Sequence, residues 1–215
     1  MALKLVEAED DESIRVDVTE IPVSIANALR RAMMNEVPTM AVEEVLVIEN
    51  TSPLPNEILS HRISLIPFKS DIDNYNLPEK CTCNSRLGCE KCVVRYVLRA
   101  EAGDTALTVY SRDMVSEKPD TKVVPVSGDI PIVVLPPNER IELELYVRLG
   151  KGGKHAKWQA GLATLYEEGG RRYLYVESFG FHSARRMLRE AVRIVKANLA
   201  EFAGNLEVMM ANEQQ

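Results

Sequence analysis

Residues 183–210 repeat apolar side chains at a three-to-four spacing almost without a break. Ala184, Met187, Leu188, Ala191, Ile194, Val195, Leu199, Phe202, Leu206 and Met209 all fall on it. That period marks one long amphipathic helix, with Ser183 placed to cap its start. At the usual rise per residue such a helix reaches about 40 Å. A small domain rarely needs a helix so long with an apolar stripe along most of it. The stripe demands a covering surface, either in this chain or on another. At about 25 cal/mol per Å², covering it is worth several kcal/mol. Met209 and Met210 suit an adaptable contact surface.

A second helix is expected near the other end. Pro22 fits a first helical position, where its missing N–H costs nothing. Ile25, Ala28, Leu29, Ala32 and Met33 then form one apolar stripe, with Asn27, Arg30, Arg31 and Met34 off it. Val37-Pro38 stops the helix. Residues 3–18 alternate as a strand or hairpin around an acidic turn at 9–12. Residues 41–49 read as a strand and 56–65 as a short helix. Further strands are expected at 93–100, 106–110, 130–135, 141–149, 158–166 and 172–178. The class is therefore α+β.

The 215 residues suit one domain or two small ones. The formal net charge of −6 argues against strong direct binding of nucleic acid, whose phosphates are neutralised by basic surfaces. No apolar run is long enough for a bilayer, so no membrane partner is expected. The acidic start, Glu7 followed by Glu9 to Glu12, is unlike a signal peptide. A cytoplasmic protein is the expectation.

All four cysteines lie between positions 81 and 92, as Cys81-x-Cys83-x5-Cys89-x2-Cys92. Such clustering points to metal rather than to a disulfide framework. Four thiolates in twelve residues close a tetrahedral site, and Gly88 favours a folded-back knuckle. Zn²⁺ in a structural role is the expected ion. Iron–sulfur ligation also uses four thiolates, but the bacterial-ferredoxin spacing is missing and nothing else suggests electron transfer; a metal-free knuckle is the remaining alternative.

Four segments carry a family resemblance. Ile25-Ala26-Asn27-Ala28-Leu29-Arg30-Arg31 with Val37-Pro38 resembles the first helix of the N-terminal domain of the bacterial RNA polymerase alpha subunit. It is closer still to the D-type subunit of archaeal RNA polymerase and to the third-largest subunit of eukaryotic RNA polymerase II. His61-Arg62-Ile63-Ser64-Leu65-Ile66-Pro67 is similar to a turn of the archaeal and eukaryotic branch. Gly152-Gly153-Lys154-His155-Ala156-Lys157-Trp158 is similar to a loop of that branch, and Val176-Glu177-Ser178-Phe179-Gly180 precedes the long helix as it does there. The segments keep family order over almost the whole chain.

The resemblance implies a discontinuous dimerisation domain, residues 1–45 with 171–215, and an inserted β-rich domain, 46–170, carrying the cysteines. It implies a non-catalytic assembly platform of a DNA-directed RNA polymerase that heterodimerises with subunit L. The pair would then recruit the small zinc-binding subunits N and P and the second-largest catalytic subunit. The dimer face would use Ile25, Ala28, Leu29, Ala32, Met33, Leu188, Val195, Leu199, Phe202 and Leu206. Contacts to a large subunit would use Asn27, Arg30, Arg31, Lys154 and His155. From residues alone, Arg30 and Arg31 read more readily as a solvated helix face than as a contact; the resemblance reverses that reading for Arg31. The eukaryotic relatives carry zinc in this insert with a shorter middle spacing. Some archaeal relatives add an iron–sulfur domain after the Lys-His-x-Lys loop; here only a short cysteine-free link joins Lys157 to Val176, so no iron–sulfur cluster is expected.

Other chemistry is thin. Asp71-x-Asp73 reads as a surface turn rather than a Mg²⁺ site, and His61, His155 and His182 lack metal-ligand spacing. The basic loop 150–157 does not fit a phosphate loop, and Trp158 is expected to pack at its base. The rival to the platform is a stand-alone zinc-knuckle module that homodimerises through its last helix.

Overall fold

A computed structural model describes residues 4–9 and 11–212. Asp10 of the expected acidic turn, and the chain ends at 1–3 and 213–215, lie outside the described residues. The elements, in chain order, are β1 (Lys4–Glu9), β2 (Ser13–Asp17), α1 (Val23–Asn35), β3 (Pro38–Asn50), α2 (Asn56–Ser64), β4 (Val93–Glu101) and β5 (Leu107–Tyr110). They continue with β6 (Met114–Ser116), β7 (Pro131–Leu135), β8 (Arg140–Lys151), β9 (Gly161–Glu168), β10 (Arg171–Ser178) and α3 (Ala184–Asn212). The architecture is mixed α and β, with antiparallel sheets.

Two compact units form, Met1–Val37 with Ala160–Gln215, and Pro38–Gln159. The division falls at 37/38 and 159/160, not at the expected 45/46 and 170/171. Strand pairing is the reason. β3 pairs with β8 from Pro38 onward, which takes residues 38–45 into the second unit. β9 forms a hairpin with β10 through Gly169 and Gly170, both at positive φ, which takes 160–170 into the first.

The first unit is a four-stranded sheet in the order β1-β2-β10-β9 with α1 and α3. Alternation aims Ile14, Val16, Ala163, Leu174 and Val176 into its core. From α1 the buried residues are Ala26, Leu29, Ala32 and Met33. The expected stripe is therefore turned: Ile25 is exposed, Ala28 half-buried, and Ala26 takes the inner position. Leu29, Ala32 and Met33, expected on a partner-facing stripe, lie in this unit's own core because the sheet and α3 need that face. Pro22 stands at the N-cap rather than inside the helix.

α3 opens as expected, with the Arg186 N–H donating to Ser183 Oγ at 3.2 Å. Before it, Gly180 takes a φ of +90° and donates its N–H to Ser178 Oγ at 2.9 Å, reversing the chain between β10 and the helix. Ala184, Met187 and Ala191 are buried and Leu188, Ile194 and Val195 half-buried. From Lys196 to Met210 every residue is exposed.

Close approach fixes one glycine of this unit. A Cβ on Gly161 would sit 2.0 Å from the Glu177 carbonyl oxygen and 2.8 Å from Met187 Cε. The backbone cannot yield cheaply there, so Gly161→Ala is expected to cost about 1–3 kcal/mol in urea unfolding. A stability within about 0.5 kcal/mol of the parent would contradict this packing.

The second unit holds the sheet β3-β8-β4-β6 and the ribbon β5-β7. β8 is its spine: Leu143, Leu145, Val147 and Leu149 point inward, with Met40, Val42, Val94, Tyr96 and Leu98 from its neighbours. α2 packs on β3 and β7. Arg62, from the His61–Pro67 segment, ties it down by donating to the carbonyls of Ile132 (2.9 Å) and Pro131 (3.1 Å). Tyr96 is buried beneath, its hydroxyl donating to the Val123 carbonyl. Asp71 accepts from the backbone N–H groups of Asp73 and Asn74, so the D-x-D pair shapes a turn.

Candidate functional site

The four cysteines converge. Their sulfurs all lie within 4.8 Å of one another. Cys81 to Cys89 is 3.7 Å, Cys83 to Cys92 is 3.8 Å and Cys89 to Cys92 is 3.9 Å. None is bonded to another. A tetrahedral ion with metal–sulfur bonds near 2.3 Å requires sulfur–sulfur edges of about 3.8 Å. The spacing thus fits a single tetrahedral ion held by Cys81, Cys83, Cys89 and Cys92.

Backbone geometry builds this cradle. Asn84 and Gly88 take positive φ, +48° and +83°, and reverse the chain between the second and third cysteines. A Cβ on Gly88 would come within 2.2 Å of Val93 Cγ2, so the loop lies flat on β4. The N–H groups of Cys92 and Val93 both donate to the Cys89 carbonyl at 2.9 Å, and the Cys89 N–H donates to Cys92 Sγ at 3.2 Å. The thiols differ in acidity. Burial pushes Cys92 up to about 12. The Ser85 N–H, donating to its sulfur, pulls exposed Cys83 down to about 7.

The glycine-rich loop is organised around Trp158, which is 2% exposed. A Cβ on Gly150 would fall 2.3 Å from the indole ring, so only glycine lets the ring lie there. The Lys157 ammonium stands 4.4 Å and that of Lys154 5.1 Å from the ring centroid. Lys157 also donates to the Val42 carbonyl at 2.9 Å, and its burial lowers its pKa. Lys154 pairs with Glu43 at 2.9 Å. His155 is exposed, its Nδ1 accepting from the Lys157 N–H at 3.0 Å.

In the first unit, α1 and α3 border an open groove of about 320 Å³ lined by Ala28, Arg31, Ala32, Asn35, Glu36, Val195, Asn198 and Leu199. At its edge and beyond it α3 leaves Leu199 (61%) and Phe202 (66%) exposed, along with Leu206, Val208, Met209 and Met210. Asn27 accepts from Arg30 Nε at 2.9 Å, and Arg31 is exposed.

The family model described as the RNA polymerase Rpb3/RpoA insert domain matches residues 44–164. The chain belongs to the Rpb3/RpoA family. Similar proteins include the DNA-directed RNA polymerase subunit Rpo3 of Methanosphaera stadtmanae, 39% identical over 169 residues, 78% of this chain and 61% of that protein. Subunit Rpo3 of Pyrobaculum neutrophilum is 46% identical over 144 residues, 66% of this chain and 53% of that one. Subunit Rpo3 of Pyrobaculum aerophilum is 34% identical over 256 residues, 96% of each. The chain thus aligns with less than two thirds of the first two relatives and with nearly all of the third.

The stretch matched by the Rpb3/RpoA model contains all four cysteines and the Trp158 loop. Of the expected site residues, the structure brings the cysteines together, and it sets Ala28, Ala32, Val195 and Leu199 beside Arg31 in one groove. Phe202 and Leu206 lie further along α3, and Lys154 and His155 lie on a loop of the second unit. Sequence reasoning passed over Arg148, which donates to the Arg86 carbonyl between Cys83 and Cys89, and Glu43, which pairs with Lys154. It also passed over Leu5 and Val192, which line a second groove of about 420 Å³ with Ile14, Val16, Arg185, Leu188 and Arg189. Nothing local marks Arg148 or Glu43; Leu5 stands on the first strand, and Val192 falls one position off the stripe that runs through Ala191. Among the described residues no helix is long and apolar enough to cross a membrane.

Proposed function

We propose that this chain is a non-catalytic assembly-platform subunit of an archaeal-type DNA-directed RNA polymerase, acting in the cytoplasm. The observation that carries the reading is the far half of α3, which presents an apolar stripe to solvent over several turns. Monomers rarely leave so much contiguous apolar surface open. The relatives' own names, DNA-directed RNA polymerase subunit Rpo3, support the assembly to which the stripe belongs.

The mechanism is physical. α1 and α3 dock a small subunit of the L type, with Ile25, Ala28, Leu188, Val195, Leu199, Phe202 and Leu206 contributing the apolar contact. The resulting pair presents Asn27, Arg30 and Arg31 from one unit, and Lys154 and His155 from the other, toward the second-largest catalytic subunit and the small zinc subunits N and P. Arginine suits such a role because its guanidinium forks onto a carboxylate. Zn²⁺ bound by Cys81, Cys83, Cys89 and Cys92 would staple a segment with few apolar side chains to bury, which is structural rather than catalytic chemistry.

Co-expression with a small L-type subunit tests the reading. A soluble one-to-one complex, by light scattering, is the expected result. A stable monomer, or a homodimer that ignores the L-type subunit, would overturn it, the homodimer in favour of a self-associating zinc module.

A further inference from the structure

One side chain ties the cysteine knuckle to the sheet. Arg148 stands on β8 directly opposite Val93, the residue after Cys92. Its side chain is 9% exposed. One terminal nitrogen donates to the Arg86 carbonyl at 2.6 Å, and Arg86 lies in the stretch between Cys83 and Cys89. The other terminal nitrogen is 3.8 Å from the Glu43 carboxylate. Nε is buried and has no hydrogen-bond partner among the described residues.

The same arginine is joined to the glycine-rich loop. Glu43 holds Lys154 at 2.9 Å through its second oxygen. Lys154 lies over the Trp158 ring, and Trp158 Nε1 donates back to the Arg148 carbonyl at 3.3 Å. Arg148, Glu43, Lys154 and Trp158 therefore close a ring of contacts, and Arg86 is the spoke from that ring to the knuckle.

The charge balance of this ring is incomplete. A guanidinium taken out of water needs a counter-charge, and the carboxylate it reaches among the described residues, Glu43, is at the edge of ion-pair range and shared with Lys154. Four thiolates on a divalent ion carry a net double negative charge. A loaded knuckle beside Arg148 supplies what the ring lacks, without the arginine becoming a ligand.

We propose that Arg148 is a positioning residue of the metal knuckle and couples metal loading to the order of the 150–158 loop. The inference rests on the reading of the four cysteines as a zinc site. With zinc bound, the Arg86 carbonyl and the neighbouring negative charge hold the guanidinium. Without it, the negative charge on the knuckle side of Arg148 falls, and the contacts from Glu43 to Trp158 loosen.

The test uses the full chain, zinc alone as ligand and a chromophoric chelator. Trp158 is the single tryptophan, so its emission reports on the loop. The parent is expected to bind one zinc and to shift its emission when zinc is withdrawn. Arg148→Met is expected to surrender zinc about 10–100-fold faster. Arg148→Lys, which keeps the charge and loses the fork, should fall between. In both, zinc withdrawal should move Trp158 emission by less than half the parent shift. Glu43→Gln should retain zinc within a few-fold yet uncouple Trp158, and with Arg148→Lys it decides the matter should Arg148→Met fail to fold. A merely structural arginine would lower the melting temperature equally with and without zinc and leave the release rate unchanged. That outcome, or an emission shift equal in parent and variants, overturns the inference while the zinc site stands. A parent chain that binds no zinc removes the metal reading and the inference with it.

Discussion

Joint replacement Leu199→Asp and Phe202→Asp is expected to abolish one-to-one assembly with an L-type subunit while leaving the isolated chain as stable as before. Both side chains are mostly exposed, so they contribute little to the chain's own fold. Against a partner, each fully covered side chain of this size is worth about 1.5–3 kcal/mol. Losing two removes about 3–6 kcal/mol, a factor between about a hundred and ten thousand in affinity, and the new carboxylates add a desolvation cost. Titration by calorimetry should show no measurable binding at micromolar concentration. The melting temperature of the isolated chain should move by no more than about 2 °C, since exposed positions are nearly neutral. Unchanged binding by the double variant would show that the stripe is not where the partner sits. The control is Met187→Ala, at a fully buried site of the same helix, which should cost about 2–5 kcal/mol of stability.

The second large effect concerns the knuckle. Cys92→Ser is expected to drop zinc content from one per chain to near zero and to lower the melting of the second unit by more than about 10 °C. Structural zinc supplies folding free energy directly, on the order of 10 kcal/mol in small domains, and residues 69–92 offer only a few apolar side chains in its place. Cys92 is also the buried member of the set, so a hydroxyl there loses the metal bond while remaining out of water. The pH dependence has a definite sign. Metal-free Cys92, pushed up to about 12, is a protonated thiol at neutral pH. Zinc must displace that proton, so loading weakens as the pH falls and strengthens as it rises. Cys83, at about 7, gives up its proton most readily and offers an open route to the incoming ion. Chelator competition between pH 6 and 8 measures this directly; affinity that fell with rising pH would contradict thiolate ligation.

What the sequence disclosed, and what it withheld, follows from how local each feature is. The knuckle was legible because its ligands lie within twelve residues and thiolate chemistry is intolerant of substitutes. The helix at the chain's end was legible from its period alone. Period could not say which half of the stripe is covered, because core and interface stripes have the same spacing. On α1 the reading turned the face slightly, placing Ile25 on it and omitting Ala26. Ala26 and Ala28 are the same residue type, so composition could not choose between them; contact with the sheet and α3 does. The units divide away from the expected boundaries for a similar reason. Residues 38–45 join the second unit through β8, whose partner positions lie a hundred or more residues away. Arg148 escaped notice because its significance lies across a strand, opposite Val93, and in a carbonyl 62 residues back along the chain.

The first unit draws on both termini, and this sets an order of events during synthesis. β2 cannot find β10 until about 150 further residues have been made, as the separation of 154 between Asp17 and Arg171 indicates. At about 5–20 residues per second the wait is roughly 8–30 s. The second unit, Pro38–Gln159, is contiguous and has everything it needs well before then. α3 follows the second unit in the chain, so that unit has already had time to settle when α3 leaves the ribosome. Its greasy far half meets water only after β1 to β10 have all been made, which shortens the interval between exposure and capture by another polypeptide.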